Sequence, residues 1–171
     1  MGSVHTADRR ARIAKTREER KTNTAPIEVV LFRKLIGYGL DPVQQKAIGP
    51  YNCDLAVYPI AVEIWGGGWH WHGKHRRMFE KRCRYILNAG WSIYILPVSR
   101  RDPFSESRVR DLVAYIKSAR RDPPSPCEYR MVWSRGEWET SGTLDDDKLA
   151  IDPPFRRGND PATGRYTRIA R

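Results

Sequence analysis

Asn52-Cys53-Asp54-Leu55-Ala56-Val57-Tyr58-Pro59-Ile60-Ala61-Val62-Glu63-Ile64-Trp65 decides the fold of this chain. Two runs rich in strand formers, Tyr51–Val57 and residues 60–65, flank the turn residues Tyr58-Pro59 and predict a hairpin. Both runs are apolar enough for burial, yet each carries one carboxylate. An isolated buried charge is expensive, so Asp54 and Glu63 each need a partner or a cation. Gly66-Gly67-Gly68 then breaks the second strand abruptly.

Upstream of the hairpin, Thr24-Ala25-Pro26 predicts a helix start, because Thr can cap and Pro suits a first turn. Ile27, Val30, Leu31 and Leu35 recur at helical spacing, Glu28 falls in the first turn, and Gly37-Tyr38-Gly39 stops the helix. A short strand is expected over 42–48. Downstream come a charged helix over 74–89 ended by Gly90, an apolar strand over 91–96, and a helix over 105–119. The last carries Val109, Leu112, Val113 and Ile116 on one face. The order across 24–120 is α-β-β-β-α-β-α, an α/β (α+β) mixed sheet with helices packed on it.

The flanks read differently. Residues 1–23 are almost devoid of large apolar side chains, apart from Val4 and Ile13, and predict a flexible basic arm, disordered or lightly helical. Residues 121–127, with Asp122-Pro123-Pro124-Ser125-Pro126, read as a Pro-rich linker. Residues 128–171 predict a small C-terminal hairpin, 129–133 and 137–140 around Arg135-Gly136, followed by a polar, basic tail.

Lys and Arg number 31 against 20 acidic residues, a net charge of +11. Such a field favours phosphate polymers or anionic membranes. Nothing resembles a basic lipid-binding amphipathic helix, so nucleic acid is the expected partner. The charge is concentrated: seven cations against three acids over 1–23, six against one over 72–86, and five against one over 156–171. No apolar run approaches the roughly 20 residues that span a bilayer, and the N-terminal stretch has no signal-like apolar segment. A soluble, cytoplasmic protein is expected. Cys53, Cys83 and Cys127 are odd in number and form no C-x-x-C pair, so reduced thiols are expected rather than a disulfide framework or a zinc finger.

The chemistry gathers around the hairpin. Pairing its strands can bring Asp54 and Glu63 to one sheet face, where two anions repel unless a cation sits between them. Mg²⁺, which prefers oxygen ligands, is the usual solution, and Glu28 can supply a third oxygen. The alternative is that Asp54 and Glu63 each pair with an arginine from 76–84. Next in the chain, Trp69-His70-Trp71-His72-Gly73-Lys74-His75 packs three imidazoles into six positions at a strand end. Phosphodiester hydrolysis needs groups that move protons near neutral pH, as histidine does. Each histidine alone would more often be a packing or surface residue, but the cluster downstream of two carboxylates favours catalysis. Structural zinc is not expected, because no Cys or acid stands at a standard ligand spacing. Lys74, Arg76, Arg77, Lys81, Arg82 and Arg84 offer phosphate grips, although a solvated helix face accounts for at least half of them. Trp65 and Trp69 read as core or site wall.

Several of these motifs carry a family resemblance: Thr24-Ala25-Pro26-Ile27-Glu28, Asn52-Cys53-Asp54, Val62-Glu63-Ile64-Trp65-Gly66-Gly67-Gly68-Trp69-His70, and Leu87-Asn88-Ala89-Gly90-Trp91-Ser92-Ile93. In this order and spacing, over residues 24–97, the chain resembles the very-short-patch-repair endonucleases and the related homing-type EDxHD nucleases of the PD-(D/E)XK superfamily. The resemblance implies a PD-(D/E)XK-like core and a Mg²⁺-dependent DNA endonuclease, with Mn²⁺ as a substitute ion. It implies that Asp54 is the central metal ligand and that Glu63-Ile64 supplies a second oxygen by side chain or carbonyl. His70 would be the family's histidine and Glu28 its helix glutamate, with His72 or His75 as assistants. Four departures stand out. Trp65 replaces another histidine of the repair enzymes, and also stands where the superfamily usually has a lysine. Gly67 replaces their zinc-ligand cysteine. The acid that EDxHD proteins carry in the following helix has only Glu80 as its nearest counterpart. A non-catalytic DNA-binding or assembly protein on a degenerate nuclease core is the main alternative; an RNA-directed protein is a weaker one.

Overall fold

A computed structural model of the chain describes residues 6–22, 24–66, 73–98, 105–132, 139–146, 149, 155–156 and 167–168. The hairpin at its centre is formed by β2 (Tyr51–Val57) and β3 (Ile60–Gly66), antiparallel with Leu55 opposite Val62 and Val57 opposite Ile60. On the outer side of β2 lies β1 (Val43–Ile48), also antiparallel. After β3 the chain crosses over through α3 (Gly73–Asn88) and returns as β4 (Ser92–Val98), parallel to β3. A parallel neighbour requires such a long connection. A second crossover, α4 (Glu106–Arg121), delivers β5 (Glu128–Val132) parallel to β4, and β6 (Glu139–Thr143) closes the sheet antiparallel to β5. The six strands lie in the order of the sequence.

β3 and β4 are buried along nearly their whole length, so alternate residues feed two cores. Ile60, Val62, Ile64, Tyr94 and Leu96 pack with Leu31 and Leu35 of α2 (Pro26–Gly37) and with Val109, Leu112 and Ile116 of α4. On the opposite face, Ala61, Trp65, Ile93 and Ile95 meet Phe79, Cys83, Ile86 and Leu87 of α3. The spacing of those four α3 residues is the apolar stripe of a helix that rests one side on a sheet. Each large side chain so buried contributes about 1.5–3 kcal/mol relative to exposure. The structure is therefore a mixed α/β fold with a sheet between helical layers, and the α-β-β-β-α-β-α order expected over 24–120 is present.

Two flanking segments differ from their sequence reading. The stretch expected to be a flexible arm contains α1 (Ala7–Arg20), a regular helix laid against β1 and β2. Its mean character is strongly polar, and what docks it is mostly not apolar. Thr6 caps its start by accepting from Arg9 N at 3.3 Å. Ala14, small enough for close approach, is 2% exposed. The Glu18 carboxylate accepts from Ala47 N at 2.9 Å and from Lys46 Nζ at 3.0 Å, and Asn52 Nδ2 donates to the Ala14 carbonyl at 2.8 Å. The second difference lies at 128–146. The expected appended hairpin is the continuation of the central sheet, because β5 pairs with β4 and buries Tyr129 and Met131 completely. Its second strand is Glu139–Thr143, running beyond the expected end at 140, while residues 137–138 and the expected turn fall outside the described residues. Arg84 ties down the chain beyond β6 by donating to the carbonyls of Leu144 (3.2 Å) and Asp146 (2.9 Å). Within the expected tail, β7 (Phe155–Arg156) and β8 (Thr167–Arg168) form a separate antiparallel ladder. Among the described residues no helix is long and apolar enough to cross a membrane.

Docking of α1 through Ala14 makes a direct prediction. Ala14→Leu overpacks that contact and should lower stability by about 1–3 kcal/mol, seen as a lower urea midpoint. Amide exchange should accelerate mainly in α1. Unprotected α1 amides in the wild type would return this segment to a loose arm.

Candidate active site: a buried carboxylate cluster

The β2–β3 ladder runs from Val57–Ile60 to Leu55–Val62. One step further, the Ile64 N–H donates to Asp54 Oδ2 at 2.7 Å, so a side-chain oxygen stands where a strand carbonyl would. Asp54 is thereby fixed, partly buried, at the end of the regular pairing. Glu63 lies on the β3 side that faces α3 and is 3% exposed. Arg82 Nη2 reaches its Oε1 at 2.5 Å and also donates to the Asn52 carbonyl. The arginine-pairing alternative is thus realised for Glu63, whereas Asp54 takes a backbone donor.

Glu28 enters from the other layer. It sits in the first turn of α2, 6% exposed, and accepts from Gln45 Nε2 at 2.9 Å. Gln45 has φ +51°, a left-handed conformation that a residue with a side chain adopts at a cost of about 1–3 kcal/mol. Its flanking rungs are Gln44–Leu55 and Lys46–Cys53, so the distorted position lies across from Asp54. Asn52 Nδ2 donates to the Gln45 carbonyl at 2.8 Å and holds this conformation in place. Neither Gln45 nor Asn52 was expected from sequence as a site residue. The available signal was weak: asparagine is depleted inside strands, so Asn52 invites a reason, but nothing comparable marks Gln45.

Burial and mutual repulsion govern the charges. Burial raises the Glu28 carboxyl to about 6, and the neighbouring Asp54 charge adds to the effect against hydrogen bonds from Ala25 and Gln45. Asp54 is also raised by burial, opposed by the Ile64 N–H and by Arg82. In Glu63 burial again drives the rise; Arg82 pulls it back, and the Asp54 and Glu28 charges push it further. Three carboxylates from α2, β2 and β3 therefore sense one another in one buried region.

The remaining expected residues divide into three groups. His70 and His72 lie outside the described residues. His75 is exposed in the first turn of α3. Lys74 and Arg76 belong to the same turn, with side chains outside the described set, and Arg77 and Lys81 are exposed. Arg82 corrects its reading as a phosphate grip. It stands three residues after Phe79 and four before Ile86, on the sheet-facing side of α3, and its guanidinium is committed to Glu63 and Asn52. Glu80 does not join the cluster; it binds Arg84 Nη2 at 3.3 Å and the Leu149 N–H at 3.5 Å. Trp65 is core, 3% exposed and edge-on to Phe79.

Among the described residues no group of three or more His, Cys, Asp or Glu side chains is placed to hold a metal ion. Glu28, Asp54 and Glu63 each offer carboxylate oxygens, the donor type that hard divalent cations prefer, and Arg82 is the cation beside them. No family model, curated protein or solved structure matches the chain.

The raised Glu28 has a stability consequence. Folded Glu28 keeps its proton up to about pH 6, whereas the ordinary carboxyl releases it near 4.5. The folded state binds more protons across that window, so stability falls as pH rises through it. Glu28→Gln should remove this loss and stabilise the metal-free chain at pH 7.5 by up to about 2 kcal/mol, with little difference near pH 4. Urea denaturation in EDTA at the two pH values measures it. Equal stability at pH 7.5 would take Glu28 out of the repulsive cluster.

Proposed function

We propose that this chain is a Mg²⁺-dependent DNA endonuclease with a PD-(D/E)XK-like core, of the very-short-patch-repair or EDxHD type. The observation that carries the reading is the buried cluster of Glu28, Asp54 and Glu63, drawn from three elements of a chain with net charge +11. In this reading Asp54 and the Glu63–Ile64 segment would hold Mg²⁺ or Mn²⁺, and an ion bound there would supply Lewis acidity towards the phosphate and a more acidic water. Glu28, with a proton affinity centred near pH 6, is poised to exchange a proton close to neutrality, and Gln45 orients it. His70, assisted by His72 or His75, moves the other proton. Arg77 and Lys81, with Lys74 and Arg76 beside them on α3, grip the DNA backbone without reading its sequence. The exposed cations of α1 extend that grip.

A second reading, a non-catalytic DNA-binding protein on a degenerate nuclease core, draws on Arg82 and Trp65. Arg82 already compensates Glu63, and Trp65 is buried where the repair enzymes carry a histidine. Plasmid cleavage in Mg²⁺, Mn²⁺ or EDTA separates the two. Asp54→Ala should abolish cleavage and leave DNA binding nearly intact; near wild-type cutting by this variant would remove Asp54 from the mechanism. A wild-type chain that binds DNA but cuts in no metal favours the second reading.

The histidine assignment has its own test. His70→Ala should slow cleavage by about 10²- to 10⁴-fold in a folded protein, the usual range for a group that transfers protons. Misfolding of that variant, together with one zinc per purified chain, would assign the histidines to structural metal instead.

A further inference from the structure

The Glu63–Arg82 pair is not an ordinary surface ion pair. Glu63 is 3% exposed and Arg82 24% exposed, and they meet at 2.5 Å in the region that also holds Asp54 and Glu28. Glu28, Asp54 and Glu63 share this region with one guanidinium, so full ionisation of the three acids would leave two negative charges in excess, the charge that one divalent ion offsets. The guanidinium is also incompletely satisfied: Arg82 Nε is buried with no hydrogen-bond partner among the described residues. A group held by only part of its donor set is easier to displace than one fully bonded.

We propose that Arg82 is a built-in counter-cation of the carboxylate cluster, and that it competes with a divalent metal ion for Glu63. The inference rests on the metal-dependent reading given above and adds to it a role for a residue that the sequence placed on the DNA-facing surface. Two groups of positive charge cannot share one carboxylate oxygen at contact distance without repulsion, so occupancy by one weakens occupancy by the other. In the absence of metal, Arg82 lets the chain fold around acids that would otherwise be buried unpaired. When a divalent ion arrives, the guanidinium must yield Glu63 Oε1, retaining the Asn52 carbonyl as an acceptor. Arg82 therefore sets how much free metal the site needs. It is a positioning and affinity-setting residue, not one that touches substrate.

The test uses the full chain and reads metal binding and stability rather than cleavage. Mn²⁺ binding is measured by calorimetry and by electron paramagnetic resonance for the wild type, Arg82→Gln, Arg82→Lys and the double variant Glu63→Gln with Arg82→Gln. Arg82→Gln should bind Mn²⁺ at least about tenfold more tightly than wild type, because a unit charge a few ångströms away in a partly desolvated site shifts the local potential by several kT. The same variant should melt at a lower temperature in EDTA and regain the loss in Mn²⁺, whereas the wild type should respond much less. Arg82→Lys, which keeps the charge, should bind within about twofold of wild type, and removing Glu63 as well should erase the gain. If Arg82→Gln folds only with Mn²⁺ present, that is the same result in stronger form. Unchanged or weaker Mn²⁺ binding by Arg82→Gln, with measurable binding by the wild type, overturns the competition and leaves the nuclease reading standing. No Mn²⁺ binding by any of the chains overturns both.

Discussion

Glu63 sits on a strand with neighbours on both edges and a helical layer on each face, so its charge has no route to water. That one placement constrains what surrounds it. A buried carboxylate must be neutralised by a proton, an ion pair or a metal. α3 supplies a guanidinium at the only position of its sheet-facing stripe that is not apolar or a thiol among Phe79, Arg82, Cys83 and Ile86. Asp54 then meets a region already crowded with negative charge. Its capture of the Ile64 N–H interrupts the strand pairing at that point. Glu28 is drawn into the same field from the opposite layer. The cluster is thus a property of the mixed sheet: the antiparallel hairpin brings two acids to one end, and the parallel crossover brings the helix that answers them.

Asn52 connects this cluster to the rest of the chain. Its side-chain amide donates to both the Ala14 carbonyl of α1 and the Gln45 carbonyl of β1, and its own carbonyl accepts from Arg82. One residue therefore joins the docked basic helix, the strained Gln45 that holds Glu28, and the counter-ion of Glu63. Left-handed backbone at a non-glycine residue persists only where the surroundings over-determine it, and here two hydrogen bonds do so. Within the sheet this conformation falls at the position across from Asp54, next to the acids.

Much of the core was legible because its periodicities are strong. The strand formers around Tyr58-Pro59, the stripe of Val109, Leu112, Val113 and Ile116, and the stop at Gly90 each mark an element whose bounds agree to within two residues. The pairing of Glu63 with an arginine of α3 was also readable as one of two solutions to a buried charge. What sequence concealed has a common physical form. α1 is docked by polar fasteners, so its composition matches that of a solvated arm. β5 joins the sheet by long-range parallel pairing, which leaves no local trace that separates it from an isolated hairpin. Arg82 is one cation among six over 72–86, and only the phase of α3 against Phe79 and Ile86 turns it inward. Gln45 is invisible because a left-handed residue inside a strand is set by its neighbours' hydrogen bonds, not by its own propensity.

The distribution of charge brings these features together. An acidic cluster on its own repels a phosphate polymer, and a basic surface on its own holds one without acting on it. This chain has both: acids withdrawn into the sheet, and exposed cations on α1 and at Arg77 and Lys81 of α3. On the proposed reading, the surface cations supply the long-range attraction, screened within about 8–10 Å at ordinary ionic strength. The acids act only at contact, after a divalent ion has offset their charge. Affinity for the polymer and the capacity for chemistry then depend on separate sets of residues and respond differently to salt and to metal. Arg82 belongs to the second set although its charge resembles the first. Burial, more than the identity of the side chain, decides which of the two an arginine serves.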